Sequence, residues 1–390
     1  LNPCTALDAA LGDLLQQIAD HLGAPVPAPL RAALHAAPRH LFLPPLLWLR
    51  DGNGGYEPCD RAQDPERWWH AAYRDAPLVT QFTELPDGDL IPSSSASMPS
   101  MVIRMLRALE ARPGQRVLEI GTGTGFNAAL LSHLYGSENV TSVDIDPDLI
   151  HRAERALRTS GHRPSVRCAD GAEGWPPAAP YDAIIATCAV RTVPRPWLDQ
   201  TATGGRIVTP WDTAWCNYGT LIATKQPDGT AEGFLAPYGS FMLIRSQQVD
   251  IELHRDVLRP GQTPERSTTR LSPWSVAGND LNAQAYVGLS VPGVWHSWDT
   301  EPDGPGPGTG AHTRLWLADD QATSWASVDY DGHRTTTFAV SQYGPRNLWD
   351  EVTRAHAQYV SAGRPTLDRL RLHIHPEGPA TRHEVRLATA

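Results

Sequence analysis

The sequence predicts an α/β protein built on a doubly wound, mostly parallel sheet, with an α+β extension at its C-terminal end. Three observations carry this. Residues 116–125 read Arg-Val-Leu-Glu-Ile-Gly-Thr-Gly-Thr-Gly, an apolar strand entering a glycine-dense turn, and helical spacing comes next at Phe126, Ala129, Leu130 and Leu134. A second apolar run, residues 140–144, ends in Asp144 about 20 residues past the turn, which completes a β-α-β unit. Strand and helix patterns then alternate to about residue 245, as a parallel sheet with crossover helices requires.

Each element has its own signal. Leu7, Leu11, Leu14, Leu15, Ile18 and Leu22 give a helical period over residues 5–22, ended by Gly23 and nearby prolines. A short helix over 28–37 leads into Pro-Arg-His-Leu-Phe-Leu-Pro at 38–44. Residues 51–70 are rich in Gly, Asp and Pro and carry Trp68 and Trp69. That composition predicts an irregular segment, either a substrate-contacting flap or a loop pinned by tryptophan packing. A helix over 99–111 precedes the glycine turn. Beyond Asp144 come a helix over 147–160, strands at 165–169 and 182–187, a helix near 194–201 and a strand at 206–210. Strands at 219–224 and 234–244 are expected to close the sheet. The loops at 121–125, 144–146, 170–171 and 187–190 all come directly after strands, so they converge on one edge, where such sheets bind ligands.

The texture changes past 245, which divides the chain into 1–245 and 246–390. Residues 259–312 look loop-rich, with Gly-Pro-Gly-Pro-Gly-Thr-Gly at 304–310 a surface loop or hinge. Strands at 314–318, 324–330 and 335–341, a helix over 346–361 and strands at 368–375 and 383–388 predict a compact module packed by one helix.

The glycine spacing selects among ligands. Dinucleotide sites use G-x-G-x-x-G, with a pyrophosphate on the helix N-terminus. Here the spacing is G-x-G-x-G, and Glu119 stands just before the turn, with one residue between it and Gly121. A carboxylate there disfavours a pyrophosphate and suits a cationic ligand, so the turn reads as a site for S-adenosylmethionine (SAM), with Asp144 placed to hold a ribose diol. A nicotinamide-dependent oxidoreductase is the competing class, and the missing third glycine counts against it.

Composition bounds the partners. The chain has 390 residues, 41% hydrophobic and 19% charged, with net charge -10. Length alone predicts roughly two or three domains. An acidic balance argues against nucleic acid, whose phosphates need a basic surface. The 5 cysteines are scattered and form no C-x-x-C pair, a reduced, cytoplasmic pattern. No apolar run approaches the roughly 20 residues needed to span a bilayer, so no membrane role is expected. The sequence leaves the oligomeric state open, a monomer being sufficient.

Several segments, in order as well as content, resemble the protein-L-isoaspartate O-methyltransferase family. Residues 38–44 are similar to its P-R-H-x-F-V-P element and Tyr-Arg-Asp-Ala-Pro-Leu at 73–78 to its Y-x-D-x-P-L. Ser-Ala-Ser-Met-Pro at 95–99 stands where the family has T-I-S-Q-P. Residues 118–125 match its cofactor loop, Asp-Gly-Ala-Glu-Gly-Trp at 170–175 its D-G-x-x-G-W, and Gly-Gly-Arg at 204–206 its G-G-R turn. Departures lie on the substrate side: a serine run over 93–97, extra residues near 50–70, and the tail. This combination resembles the subgroup that modifies ribosomally made peptide natural products (lanthipeptide, lasso peptide or graspetide precursors). Those enzymes methylate an aspartate side chain, and the ester collapses to an aspartimide that can hydrolyse to isoaspartate. The alternative is repair of isoaspartyl residues in damaged proteins.

The resemblance implies a fold of the class I SAM-dependent methyltransferase type, and with it roles for individual residues. Ser97, with Ser95, takes the place of the family's active-site hydroxyl. Glu119, Gly121, Thr122, Gly123, Gly125, Asp144, Ile145, Asp170, Gly171 and Thr187 form the SAM site, with Glu119 near the amino-acid part and Asp170 at the adenine amino group. Bland readings stand beside two of these: a turn-capping aspartate for Asp170, a solvent-facing strand end for Glu119. Ser94, Ser95, Ser97, Trp68, Trp69 and Arg191 would contact a peptide substrate. Arg191 and Arg195 could instead face solvent. His373 and His375 share a strand face but lack a third ligand, so no metal is expected. Tryptophans number 13. Those of the tail (Trp295, Trp298, Trp316, Trp325, Trp349) suit either peptide contact or core.

Overall fold

A computed structural model describes residues 3–84, 88–301, 312–332 and 336–388. The glycine-rich 304–310 stretch lies outside the described residues. The centre is a nine-stranded sheet whose order runs 380–387, 370–377, 231–236, 217–225, 201–212, 181–186, 117–120, 140–144, 165–168. The last five pair in parallel and the first four antiparallel. Val117–Ile120, Val140–Asp144 and Tyr181–Ala186 are almost wholly buried, as parallel strands covered on both faces should be. Helices Pro99–Leu109 and Phe126–Tyr135 pack one face in a core shared with Pro3–Leu22 and Ala28–Ala36. Arg195–Gln200, with Trp197 fully buried, packs the other.

Three expectations need correction. Residues 51–70 are not a flap. They contribute to a hairpin, Leu46–Arg50 with Tyr56–Asp60, and to helix Pro65–Ala72. The glycines at 52–55 are only its turn, and Asp64 caps the helix by accepting from Arg67 N. Trp68 is 1% exposed, in the core, and its indole N–H donates to Pro44 O at 3.1 Å. A substrate contact for Trp68 is thereby excluded. Trp69 is half-buried against His40 and Tyr73.

Secondly, the strand expected at 234–244 is Ala231–Ala236, and the chain beyond it runs as an extended strap. Its residues Met242 to Ile244 bond across to Ala189. Thirdly, the boundary at 245 does not separate two sheets. The hairpin Leu370–Glu377 with Ala380–Leu387 returns from the tail and extends the central sheet through Ala231–Ala236. Its end is fastened beside the ligand edge, where Thr381 Oγ1 donates to Val193 O at 2.6 Å and Arg195 donates to Gly378 O at 3.0 Å.

The rest of the tail is a five-stranded antiparallel sheet in the order 265–269, 338–343, 325–330, 312–319, 294–301. Strands Glu265–Thr269 and Val294–Glu301 and helix Leu281–Ser290 occupy the stretch expected to be loop. Glu265–Thr269 is polar throughout and so gives no strand signal, and small residues in Leu281–Ser290 blur its period. Trp349 is buried, and Trp298 packs the same core. Among the described residues no helix is long and apolar enough to cross a membrane.

Candidate active site

The sheet reverses winding between Val117–Ile120 and Tyr181–Ala186, and such a switch point opens a crevice at the carboxyl ends of its strands. The glycine turn sits there. Gly121 has φ 91°, and a Cβ on it would lie 2.6 Å from Thr187 Oγ1. That hydroxyl in turn donates to Gly121 O at 2.6 Å, tying the two strand ends together. Gly171 is close-packed in the same way, since a Cβ would meet Ile120 Cγ2 at 2.5 Å. Both positions need a residue without a side chain.

Asp144 is half-buried. Its Oδ2 accepts Gly123 N at 2.9 Å and its Oδ1 accepts Asp146 N at 3.1 Å. Burial pushes its carboxyl up against these donors. Ile145 beside it is 43% exposed, an apolar surface at the ligand edge. Asp170 Oδ1 accepts Ala172 N at 2.9 Å and caps a short turn.

Glu119 is neither at a solvent-facing strand end nor open to the turn's surface. It is fully buried, accepting from Asn127 at 2.8 Å and from Ser142 Oγ, which also bonds Thr122 Oγ1 at 2.6 Å. Glu119 therefore supports the turn from beneath, through Ser142 and Thr122. Desolvation raises it from 4.5 to about 7, opposed by the Ser142 and Asn127 donors. Between those values the folded form holds a proton that the unfolded chain has released. The contribution is full below pH 4.5 and is lost as pH rises through about 7, on the order of 3 kcal/mol. Glu119→Gln should flatten this slope, because an amide can accept from Asn127 and donate to Ser142. Urea unfolding of both proteins across pH 4.5–7.5 checks it; equal slopes would contradict it.

The serine run forms strand Leu90–Ala96, the edge of a four-stranded sheet, paired with Leu78–Glu84. Ser94 is buried and accepts from Thr80 Oγ1 at 3.3 Å, which removes it from the substrate contacts. Ser95 and Ser97 are half-buried, and their hydroxyls have no hydrogen-bond partner among the described residues. Its partner strand Leu78–Glu84 is joined to the cofactor edge through Gln81, which donates to Asp146 Oδ2 at 3.1 Å. A pocket of about 260 Å³ beside the glycine turn is lined by Gly123, Thr124 and Thr80 together with Leu43, Leu149 and Arg152.

Arg39 holds this arrangement. It is 1% exposed and donates to the carbonyls of Arg74, Ala76 and Ser97 at 3.0 Å, Ala96 at 3.3 Å and Ala72 at 3.4 Å. Asp75 Oδ1 accepts Ser100 N at 2.8 Å, fixing the next turn. Sequence reasoning assigns no role to Arg39, Gln81 or Asp146. The signal for Arg39 lay in the 38–44 segment, and for Asp146 in the Asp-Pro that opens a helix. Arg191, by contrast, is tied to the buried Asp212 at 2.9 Å. His373 and His375 face Glu232 and Glu384 at 3.1 and 3.8 Å. No group of three or more His, Cys, Asp or Glu among the described residues could hold a metal.

A switch-point crevice, a side-chain-free turn and an acid at the end of the next strand define a class I SAM-dependent methyltransferase. The close-packed glycines and the acids at 144 and 170 fit an adenosine-bearing cofactor. Comparison with known proteins agrees. The profile of the family described as Protein-L-isoaspartate(D-aspartate) O-methyltransferase (PCMT) matches residues 57–232. The protein-L-isoaspartate O-methyltransferase of Gloeobacter violaceus is 38% identical over 217 residues, 55% of this chain and 90% of that one. That of Ignicoccus hospitalis is 41% identical over 185 residues, 47% of this chain and 83% of its own. A solved structure of the same description matches in fold at TM-score 0.53 and 21% identity, over 96% of this chain and 99% of that one. The chain belongs to the protein-L-isoaspartate O-methyltransferase family, and is a SAM-dependent carboxyl O-methyltransferase.

Proposed function

We propose that this enzyme methylates the side-chain carboxylate of an aspartate in a ribosomally made precursor peptide, and that the ester closes to an aspartimide. The observation that supports it most is the edge strand Leu90–Ala96. An open strand edge offers unpaired backbone groups to which an extended peptide can add, in a register that passes Ser95 and Ser97. The second support is the tail that flanks the ligand edge and lies outside the residues 57–232 matched by the family profile; helix Pro65–Ala72 lies inside them. The tail by itself does not discriminate, since a solved protein described as a protein-L-isoaspartate O-methyltransferase is matched along nearly all of this chain. The names of the relatives favour the second reading, methylation of isoaspartyl residues in damaged proteins.

In the proposed reaction, bound SAM supplies an electrophilic methyl group. Asp144 holds the ribose hydroxyls and Asp170 the adenine amino group, while Gly121 and Gly123 admit the backbone close to the cofactor. The substrate carboxylate, with an ordinary pKa near 4, is already ionised and needs no base. The protein's task is alignment and removal of water. Ser97 donates to one carboxylate oxygen and leaves the other to attack, with Ser95 beside it. The next backbone nitrogen of the peptide then attacks the ester carbonyl, a C–N bond forms, and methanol leaves with the amide proton.

Ser97→Ala should lower kcat by about 10- to 100-fold, the worth of one charge-assisted hydrogen bond. Its unfolding midpoint should be unchanged, because the hydroxyl has no protein partner. Methyl-transfer kinetics on a candidate precursor and on a generic isoaspartyl peptide test the substrate. The precursor should show the higher kcat/KM; equal or better use of the isoaspartyl peptide would establish the repair reading instead.

A further inference from the structure

The five-stranded sheet of the tail is covered by helices on one face only. Leu315, Leu317, Val328 and Val340 pack against Leu348–Ser361 and Leu281–Ser290 on that side. The other face carries Trp316, Ala318 and Trp325 beneath a short segment containing Leu253 and Val257. The cover leaves a pocket of about 270 Å³, walled by Ile251, Leu253, Trp295 and Trp316. Glu252 and Asp299 also line it, and neither has an ion pair among the described residues. Trp316 is 9% exposed, and its indole N–H has no acceptor among the described residues. The Trp316 ring already carries one cation from outside the pocket lining: the Arg314 guanidinium lies 5.5 Å from its centroid while Asp329 binds it at 2.7 Å.

We infer that this pocket takes a cationic side chain, lysine or arginine, of the peptide substrate. Indole faces attract cations, and the attraction grows when the cation is partly desolvated. Two carboxylates without an ion pair at the same opening select a positive group over an apolar one of similar size. The inference rests on a peptide being the substrate, and it assigns the tail its share of recognition.

Indole N–H cross-peaks of the full-length, ¹⁵N-labelled protein test it, with W295F and W316F supplying assignments. The probes are the peptides Gly-Gly-Lys-Gly-Gly, Gly-Gly-Gln-Gly-Gly and Gly-Gly-Leu-Gly-Gly. The lysine peptide should move the Trp295 and Trp316 peaks saturably, the other two should not, and the E252Q/D299N variant should lose the response with its remaining spectrum intact. No movement, equal movement by the leucine peptide, or an undiminished response in the double variant would overturn the inference. Because binding is read without methyl transfer, its failure is distinguishable from failure of the proposed reaction.

Discussion

Arg39→Met should destabilise the protein by about 3–5 kcal/mol, the range for breaking a buried charged network. The guanidinium is fully buried and serves five carbonyls, those of Ala72, Arg74, Ala76, Ala96 and Ser97. Burial lowers its pKa to about 10, opposed by Asp75 and Tyr73, which still leaves it charged at neutral pH. Methionine fills similar volume but donates nothing, so five buried acceptors lose their partner. Arg39→Lys should not rescue it, because an ammonium has three donors and no planar fork. The same bonds place Ser97 against the helix beginning at Pro99. Variants that remain folded at low temperature should therefore show a depressed kcat as well. Urea denaturation gives the stability, and an unchanged midpoint would remove Arg39 from its positioning role.

The second large effect is expected on the cofactor. Asp144→Ala should weaken SAM binding by about 10²- to 10³-fold, from the loss of two charge-assisted hydrogen bonds to ribose. The substitution also frees Gly123 N, which Asp144 holds at 2.9 Å. Asp144→Asn separates the contributions, since an amide oxygen can still accept from Gly123 while one ribose bond is lost; it should fall between wild type and alanine. Calorimetric titration of SAM measures all three. Equal affinity in the alanine variant would place the ribose elsewhere.

The parallel half of the sheet is legible because its strands are short, carry Val, Leu or Ile and are bounded by glycine or an acid, as at 117–121 and 140–144. Residues 51–70 were misread because Gly52, Gly54 and Pro58 signal a loop, yet these residues serve a hairpin turn and an edge strand. The returning hairpin was invisible for another reason. Nothing local in Leu370–Glu377 states that its partner is Ala231–Ala236, more than a hundred residues earlier; only the packed fold supplies that. At the site, the glycines and Asp144 announce themselves by spacing. Arg39 does not, because its role lies in carbonyls contributed by two separate segments, 72–76 and 96–97. The expectation of substrate contact rests on the serine run for Ser94 and on the loop-like composition of 51–70 for Trp68. Strand alternation turns Ser94 inward to Thr80, and the helix buries Trp68 under the hairpin.

The chemistry rests most directly on what happens to one aspartate. Intact-mass spectrometry of a candidate precursor peptide, sampled over time with enzyme and SAM, should show gain of one methyl group. Loss of methanol should come next, for a net loss of one water, with fragmentation placing the change at a single aspartate. A precursor that stays unmodified while a generic isoaspartyl peptide is methylated would contradict the account.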